Sequence, residues 1–342
     1  MEHAQKQQNH DRYSGAVLII RDALIFIMVM LTAALIFVVV PGTQRVSAQT
    51  VSAAAITQTE APQTDEQAQA AEATITPEPE TTEAPTPEPT EPPATINGDF
   101  SSVFPLSDTG IGAMLSHQSD TLRIAISKEQ AYDSTYFVAD VWVKSIDEFQ
   151  TAFAKDAYGR GLHEMPLKIA QDNGAVFAVS GDYYGAREDG VVVRNGVLYR
   201  DVMSDDFCVL RKDGTMQVYR KGSVSALDIL NSTVWQAWAF GPALVSDGAV
   251  CDTSSSKIKV KNPRCAIGYY EPGHYCFIVV DGRQSGYSEG MTLDELANTF
   301  AALGCRTAYN LDGGATAMMV FDGKVISQPT KGGRTSSDII CF

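Results

Sequence analysis

The stretches VVVRNGVLYR (Val191–Arg200) and FCVLRKDGTMQVY (Phe207–Tyr219) decide the fold class. In each, two runs rich in β-branched, aromatic or long apolar residues flank a dipeptide, Asn195-Gly196 or Asp213-Gly214. Those residue types accept the positive φ angles of a two-residue hairpin turn, so antiparallel pairing is expected in the middle of the chain. Working outward, Thr121–Ser127, Tyr136–Lys144, Ala175–Ser180, Val234–Phe240, Cys265–Tyr270 and Tyr275–Asp281 read as further strands. Thr307–Leu311, Ala317–Phe321, Lys324–Ser327 and the run from Asp338 onward read the same way, with Asp322-Gly323 joining a third hairpin. Helical signals are few. Ser145–Asp156 carries Ile146, Phe149 and Phe153 at spacings of three and four, and Met165–Gln171 reads as a second short helix. Thr292 with Glu295 three residues on forms a capping box for a helix to about Leu303, closed by Gly304. This is an α+β reading, with mixed or antiparallel strands and few helices. A doubly wound parallel sheet would alternate strands with helices and is disfavoured.

The amino-terminal part has a different character. Residues 1–22 form a short polar head, and Ala23–Val40 is a run of eighteen residues without a charge. At 1.5 Å per residue such a helix spans roughly 27 Å, enough to cross the hydrocarbon core of a membrane. Lys6, Arg12 and Arg21 precede the run and only Arg45 follows closely, which places the amino terminus in the cytoplasm and the rest outside. The expected location is the cell membrane, single-pass, with an extracytoplasmic carboxy-terminal domain. Val46-Ser47-Ala48 offers a signal-peptidase site as the alternative, which would give a secreted protein. Residues 41–98 hold nine of the fifteen prolines and no aromatic residue. Such a composition buries too little apolar surface to offset its chain entropy, and it is expected to be a disordered spacer before the folded residues 99–342.

Charge excludes one large class of function. The net charge is −15, of which residues 41–100 carry −9. A sequence-independent nucleic-acid binder needs a basic surface, and none is in prospect. The six cysteines, Cys208, Cys251, Cys265, Cys276, Cys305 and Cys341, include no C-x-x-C pair, so neither a cysteine zinc site nor a thioredoxin-like motif is indicated. The three histidines beyond residue 100 are scattered, and G-x-S-x-G, H-E-x-x-H and P-loop patterns are absent from the sequence.

What recurs is an apolar strand ending in an acid beside glycine: Ser180-Gly181-Asp182, Val280-Asp281-Gly282 and Leu311-Asp312-Gly313-Gly314. Strand ends are where sites are built, and glycine lets a backbone approach a ligand. Arg264, Arg283 and Arg334 each sit close to proline or glycine, where a planar guanidinium can grip phosphate or carboxylate. Carboxylates and arginines in one pocket suit a sugar bearing an anionic leaving group. A divalent cation could bind among the acids, although no cofactor is required by the sequence.

Six segments in order carry a resemblance: Asp182-Tyr183-Tyr184, Phe240–Val245, Asn262–Gly268, Val280–Arg283, Gly290–Ala297 and Asn310–Gly314. Together, across roughly residues 170–342, they resemble the phosphodiester glycosidase family. The resemblance implies hydrolysis of a phosphodiester at a sugar anomeric carbon, with a glycan or sugar phosphate as substrate. It implies that Asp182, Asp281 and Asp312 include the catalytic acid and the nucleophile or base. Arg264, Arg283 and Arg334 would hold the phosphate, with Asn310, Gly313, Gly314 and Thr316 completing the substrate contacts. The hydroxyl-rich run that the family carries after its Asp-Gly-Gly is Ala315-Thr316-Ala317 here, and Cys265 stands where a threonine is common. These departures favour the alternative, a non-catalytic module that binds envelope glycan phosphates.

Overall fold

A computed structural model describes residues 98–342, apart from 106–111, 204, 223–229, 232 and 257. The membrane-anchor and spacer readings fall on residues outside the described part. Among the described residues no helix is long and apolar enough to cross a membrane.

Among the described residues the architecture is three antiparallel sheets with two α-helices. The largest sheet has eight strands: β1 (Leu115–Gln118), β2 (Leu122–Ala131), β3 (Ser134–Val143), β11 (Ala243–Ser246), β12 (Ala249–Val250), β13 (Arg264–Glu271), β14 (His274–Val280) and β15 (Thr307–Asn310). They lie in the order β1-β2-β3-β14-β13-β15-β11-β12. A five-stranded sheet holds β6 (Val192–Arg194), β7 (Val197–Arg200), β8 (Phe207–Arg211), β9 (Met216–Tyr219) and β10 (Val234–Trp238), ordered β7-β6-β10-β8-β9. The third contains β4 (Gln150–Phe153), β5 (Phe177–Ser180), β16 (Met319–Phe321), β17 (Lys324–Val325) and β18 (Asp338–Cys341), ordered β17-β16-β5-β18-β4. The Asn195-Gly196, Asp213-Gly214 and Asp322-Gly323 turns close the expected hairpins β6-β7, β8-β9 and β16-β17.

Helix α1 (Pro166–Asp172) starts with proline in its first turn, where the missing N–H costs nothing. Helix α2 (Leu293–Ala302) has the full capping box: Thr292 Oγ1 accepts from Glu295 N–H while the Glu295 carboxylate accepts from Thr292 N–H. Its buried face, Leu296, Ala297 and Phe300, packs against Leu244, Ala266 and Ile278 of the large sheet. The main core lies where the sheets meet, with Phe149, Phe177, Trp238, Tyr275 and Phe277 fully buried in it.

One expected element is corrected. Ser145–Asp156 is not a helix but two single 3-10 turns flanking β4. Residues 150–153 pair with β18, from Gln150↔Cys341 to Phe153↔Asp338, and this distant partner outweighs the local period of Ile146, Phe149 and Phe153. Lys155 and Asp156 at positive φ end the segment. The sheet pairings are antiparallel throughout the described residues rather than mixed.

Candidate active site

Register brings the loops together. Strand β13 runs antiparallel to both neighbours, so Arg264 at its start lies opposite Val280, and Ala266 opposite Asn310. The segments following Val280 and Asn310 therefore emerge beside Asn262-Pro263-Arg264. The third sheet supplies the end of β5 and the start of β18, which pair through Ser180↔Ile339. Two hydrogen bonds join these edges: Asp312 N–H donates to the Gly181 carbonyl at 3.0 Å, and Ser180 Oγ to the Thr316 carbonyl at 2.5 Å.

At the junction Asp312 faces Arg334, whose Nη2 donates to both carboxylate oxygens at 3.0 and 3.3 Å, and Arg334 Nε donates to Thr316 Oγ1 at 2.8 Å. The Asp312 side chain is 6% exposed and that of Arg334 47%, so the pair runs from the interior to the surface. Burial pushes the Asp312 carboxyl up to about 6, and the opposing pull of Arg334 and Thr316 does not restore an ordinary value. The Arg334 guanidinium lies 4.9 Å from the centre of the Tyr183 ring.

Arg283 and Arg264 form the second half. Arg283 donates through Nε and Nη2 to Asn262 Oδ1 at 3.0 and 2.6 Å. Arg264, almost fully buried, donates to the carbonyls of Met291, Val260 and Ile258. Among the described residues neither guanidinium meets a carboxylate. Burial, with Arg283 nearby, lowers Arg264 to about 10. Gly314 takes φ +64°, a left-handed backbone that favours glycine, and it faces the Arg283 guanidinium. Gly313 is held against Pro263, whose carbonyl accepts from Gly314 N–H at 2.8 Å.

The other two acids are placed differently. Asp182 is fully buried: Oδ1 accepts from Tyr184 N–H at 3.1 Å, Oδ2 accepts from Ala239 N–H at 3.1 Å, and Arg194 Nη2 stands 2.8 Å from Oδ1. That last contact is an ion pair lying off the hydrogen-bond axis, since Arg194 Nη2 has no well-directed acceptor among the described residues. Arg194 Nε donates to Asp338 Oδ2 at 2.8 Å, so one buried guanidinium serves two carboxylates. Asp281 accepts from Tyr287 Oη and Gln328 N–H, both at 2.8 Å, and burial raises its carboxyl. Asn310 donates through Nδ2 to the Gly241 carbonyl at 2.7 Å, while its buried Oδ1 has no partner among the described residues. It lines a cavity of about 410 Å³ together with Arg264, Phe240 and Pro242.

Asp312, Thr316 and Arg334 are thus in direct contact, with Arg283, Arg264, Gly313 and Gly314 adjoining them. Asp182 belongs to a buried ion triad, and Asp281 to a separate set of donors. Sequence reasoning missed Arg194, Asp338, Asn262 and the stacking role of Tyr183. A signal existed for two of them: Arg194 closes the apolar run from Val191, and Asp338 opens one, both inside strands where a charge needs a partner. Among the described residues no cluster of three metal-ligating side chains is present.

Comparison with known proteins fits this geometry. The fold is shared with the zebrafish N-acetylglucosamine-1-phosphodiester alpha-N-acetylglucosaminidase catalytic domain auto-inhibited by its pro-peptide, at TM-score 0.53 and 21% identity, covering 67% of this chain and 86% of that one. A hypothetical protein from Synechocystis aligns at TM-score 0.50 and 12% identity, over 65% of this chain and 62% of its own. Residues 173–342 match the model of the phosphodiester glycosidase family, and this part of the chain is a domain of that family. The SPbeta prophage-derived uncharacterized protein YomE of Bacillus subtilis (strain 168) is 31% identical over 224 residues, 63% of this chain. The chain covers about a third of that relative's length, 33%.

Proposed function

We propose that the domain hydrolyses sugar-1-phosphodiesters, with Asp312 as the general base. The observation that carries this reading is charge: two guanidiniums, Arg264 and Arg283, lie beside the Asp312 loop and, among the described residues, donate to neutral oxygens alone. Uncompensated cations held together need an anion, and a phosphodiester supplies one. The phosphoryl oxygens sit on Arg283 and Arg264, which turns the anomeric carbon toward Asp312. The ionised Asp312 takes a proton from water as its oxygen attacks that carbon. The bond from the carbon to the bridging oxygen breaks, and its electron pair leaves with the phosphate monoester. That leaving group departs as an anion and needs no proton, so arginines can stand where many glycosidases place an acid. Asp182, with both oxygens engaged, keeps the loop in place. Asp281 anchors the Gln328 turn.

The residues of the Ala23–Val40 run support an anchoring helix that would present the domain to envelope glycans, with residues 41–98 as spacer.

The test is release of free sugar from UDP-N-acetylglucosamine and from other sugar-1-phosphodiesters by the full chain. Asp312→Asn is expected to lower kcat by about 10²- to 10⁴-fold while still binding substrate. Binding without turnover in the unaltered protein would give the domain the role of a glycan-phosphate-binding module, as the alanines at 315 and 317 suggest.

A further inference from the structure

A second cavity, about 640 Å³, opens on the other side of the segment that carries Arg334. Its lining is largely apolar, with Met165 and Leu167 around the start of α1, and Met318, Val325 and Pro329 from the opposite wall. Lys168 and Lys331 are the charges in the lining, both positive. Leu167 and Val325 are half-buried and Lys331 is exposed, so the cavity is open at its mouth.

Its position is fixed by the site. Gln284, which follows Arg283, forms part of the wall, and so does Gly332, two residues before Arg334. Gln284 Nε2 donates to the Gln328 carbonyl, and Gln328 Nε2 to Gln284 Oε1, both at 2.7 Å, tying the two walls together. Thr330 Oγ1 donates to the Gly282 carbonyl at 2.7 Å and anchors the same segment next to Arg283. Gly333 is wedged against the methyl groups of Met318 and Met165, where a Cβ would stand 2.8 and 3.1 Å from them, respectively. One side of this segment therefore presents Arg334 to Asp312 while the other closes an apolar chamber.

From this placement we infer that the chamber receives the non-sugar end of the substrate, and that this end is an apolar alcohol. The substrate class is a sugar-1-phosphate ester of an alkyl chain. The inference rests on the hydrolase reading, and it adds what that reading leaves open. The phosphate bridges a polar side, where Asn310 and Arg264 line the first cavity, and an apolar side, where methionine and leucine replace hydrogen-bonding groups. Flexible methionines fit chains of varied length. Gln171, Ser327, Gln284 and Gln328 also line the chamber, but their side chains already hydrogen-bond within the fold, to the Gly323 carbonyl, Met319 N–H and each other, which disfavours a nucleotide or second sugar as leaving group.

The experiment uses methyl, butyl and octyl esters of one sugar-1-phosphate with the full chain. The expected result is kcat/KM rising about threefold for each added methylene until the chamber is filled. The double substitution Leu167→Gln with Val325→Gln should flatten that rise and leave methyl ester turnover unchanged. A flat series in the unaltered protein, with the methyl ester turned over, overturns the inference and leaves the hydrolase reading standing. If no ester is cleaved the hydrolase reading fails, and calorimetric titration with octyl phosphate and methyl phosphate decides separately. Octyl phosphate binding at least tenfold tighter, lost in the double variant, supports the apolar chamber, and equal binding of the two overturns it.

Discussion

Asp312 carries two demands that pull against each other. Its carboxyl sits at about 6 rather than near 3.8 because burial opposes the charged form more than Arg334 and Thr316 favour it. A base must be ionised, so turnover is expected to fall as pH drops below about 6 and to level off above it. Initial rates between pH 4.5 and 8 check this, and an activity maximum at pH 4.5 would remove Asp312 as the base. Stability runs the other way. A carboxyl raised in the folded state contributes most below its unfolded value and loses that contribution as pH rises through about 6. Asp312→Asn should therefore remove a loss of stability on the order of 1–3 kcal/mol between pH 4 and 7, read by denaturant unfolding at each pH. The arginines behave differently from one another. Arg283→Ala should lower kcat/KM about a hundredfold, since it removes a cation that, among the described residues, is held by an amide oxygen rather than a carboxylate. Such a variant retaining full activity would move the phosphate elsewhere.

At the scale of elements, what could be read from the sequence was what neighbouring residues settle among themselves. The Asn195-Gly196 and Asp213-Gly214 hairpins depend on turn residues and their flanks, and both form as expected. So does the capping box of Thr292 and Glu295, where Thr292→Ala should cost about 1 kcal/mol in an unfolding titration. The segment around Phe149 was misread because its partner is β18, almost two hundred residues away, and no local pattern announces such a pairing. The candidate site divides on the same line. Asp312 and its glycines could be recognised from a compact motif, whereas the engagement of Asp182 with Arg194 and Asp338 depends on three strands meeting. Each of those three residues reads in sequence as a lone charge. Only the assembled sheets show that Asp182 and Asp338 share one buried cation.

At the scale of the whole molecule, the candidate site lies where the large sheet and the third sheet join, held by the Asp312-to-Gly181 and Ser180-to-Thr316 hydrogen bonds. The Asp182–Arg194–Asp338 triad extends that joint from the third sheet into the sheet of β6, an ionic knot between those two. Arg194→Met should be strongly destabilising, by about 3–5 kcal/mol, because it strands two buried carboxylates without a cation. Thermal unfolding checks this. A melting temperature unchanged from the parent would show that the knot is dispensable. The strand that supplies Asp338 lies in the interior of its sheet, between β5 and β4. A ribosome delivers β4 and β5 long before residues 338–341, so both must wait with an open edge until β18 emerges. The emerging protein is thus exposed to adventitious pairing at that edge until β18 clears the exit tunnel.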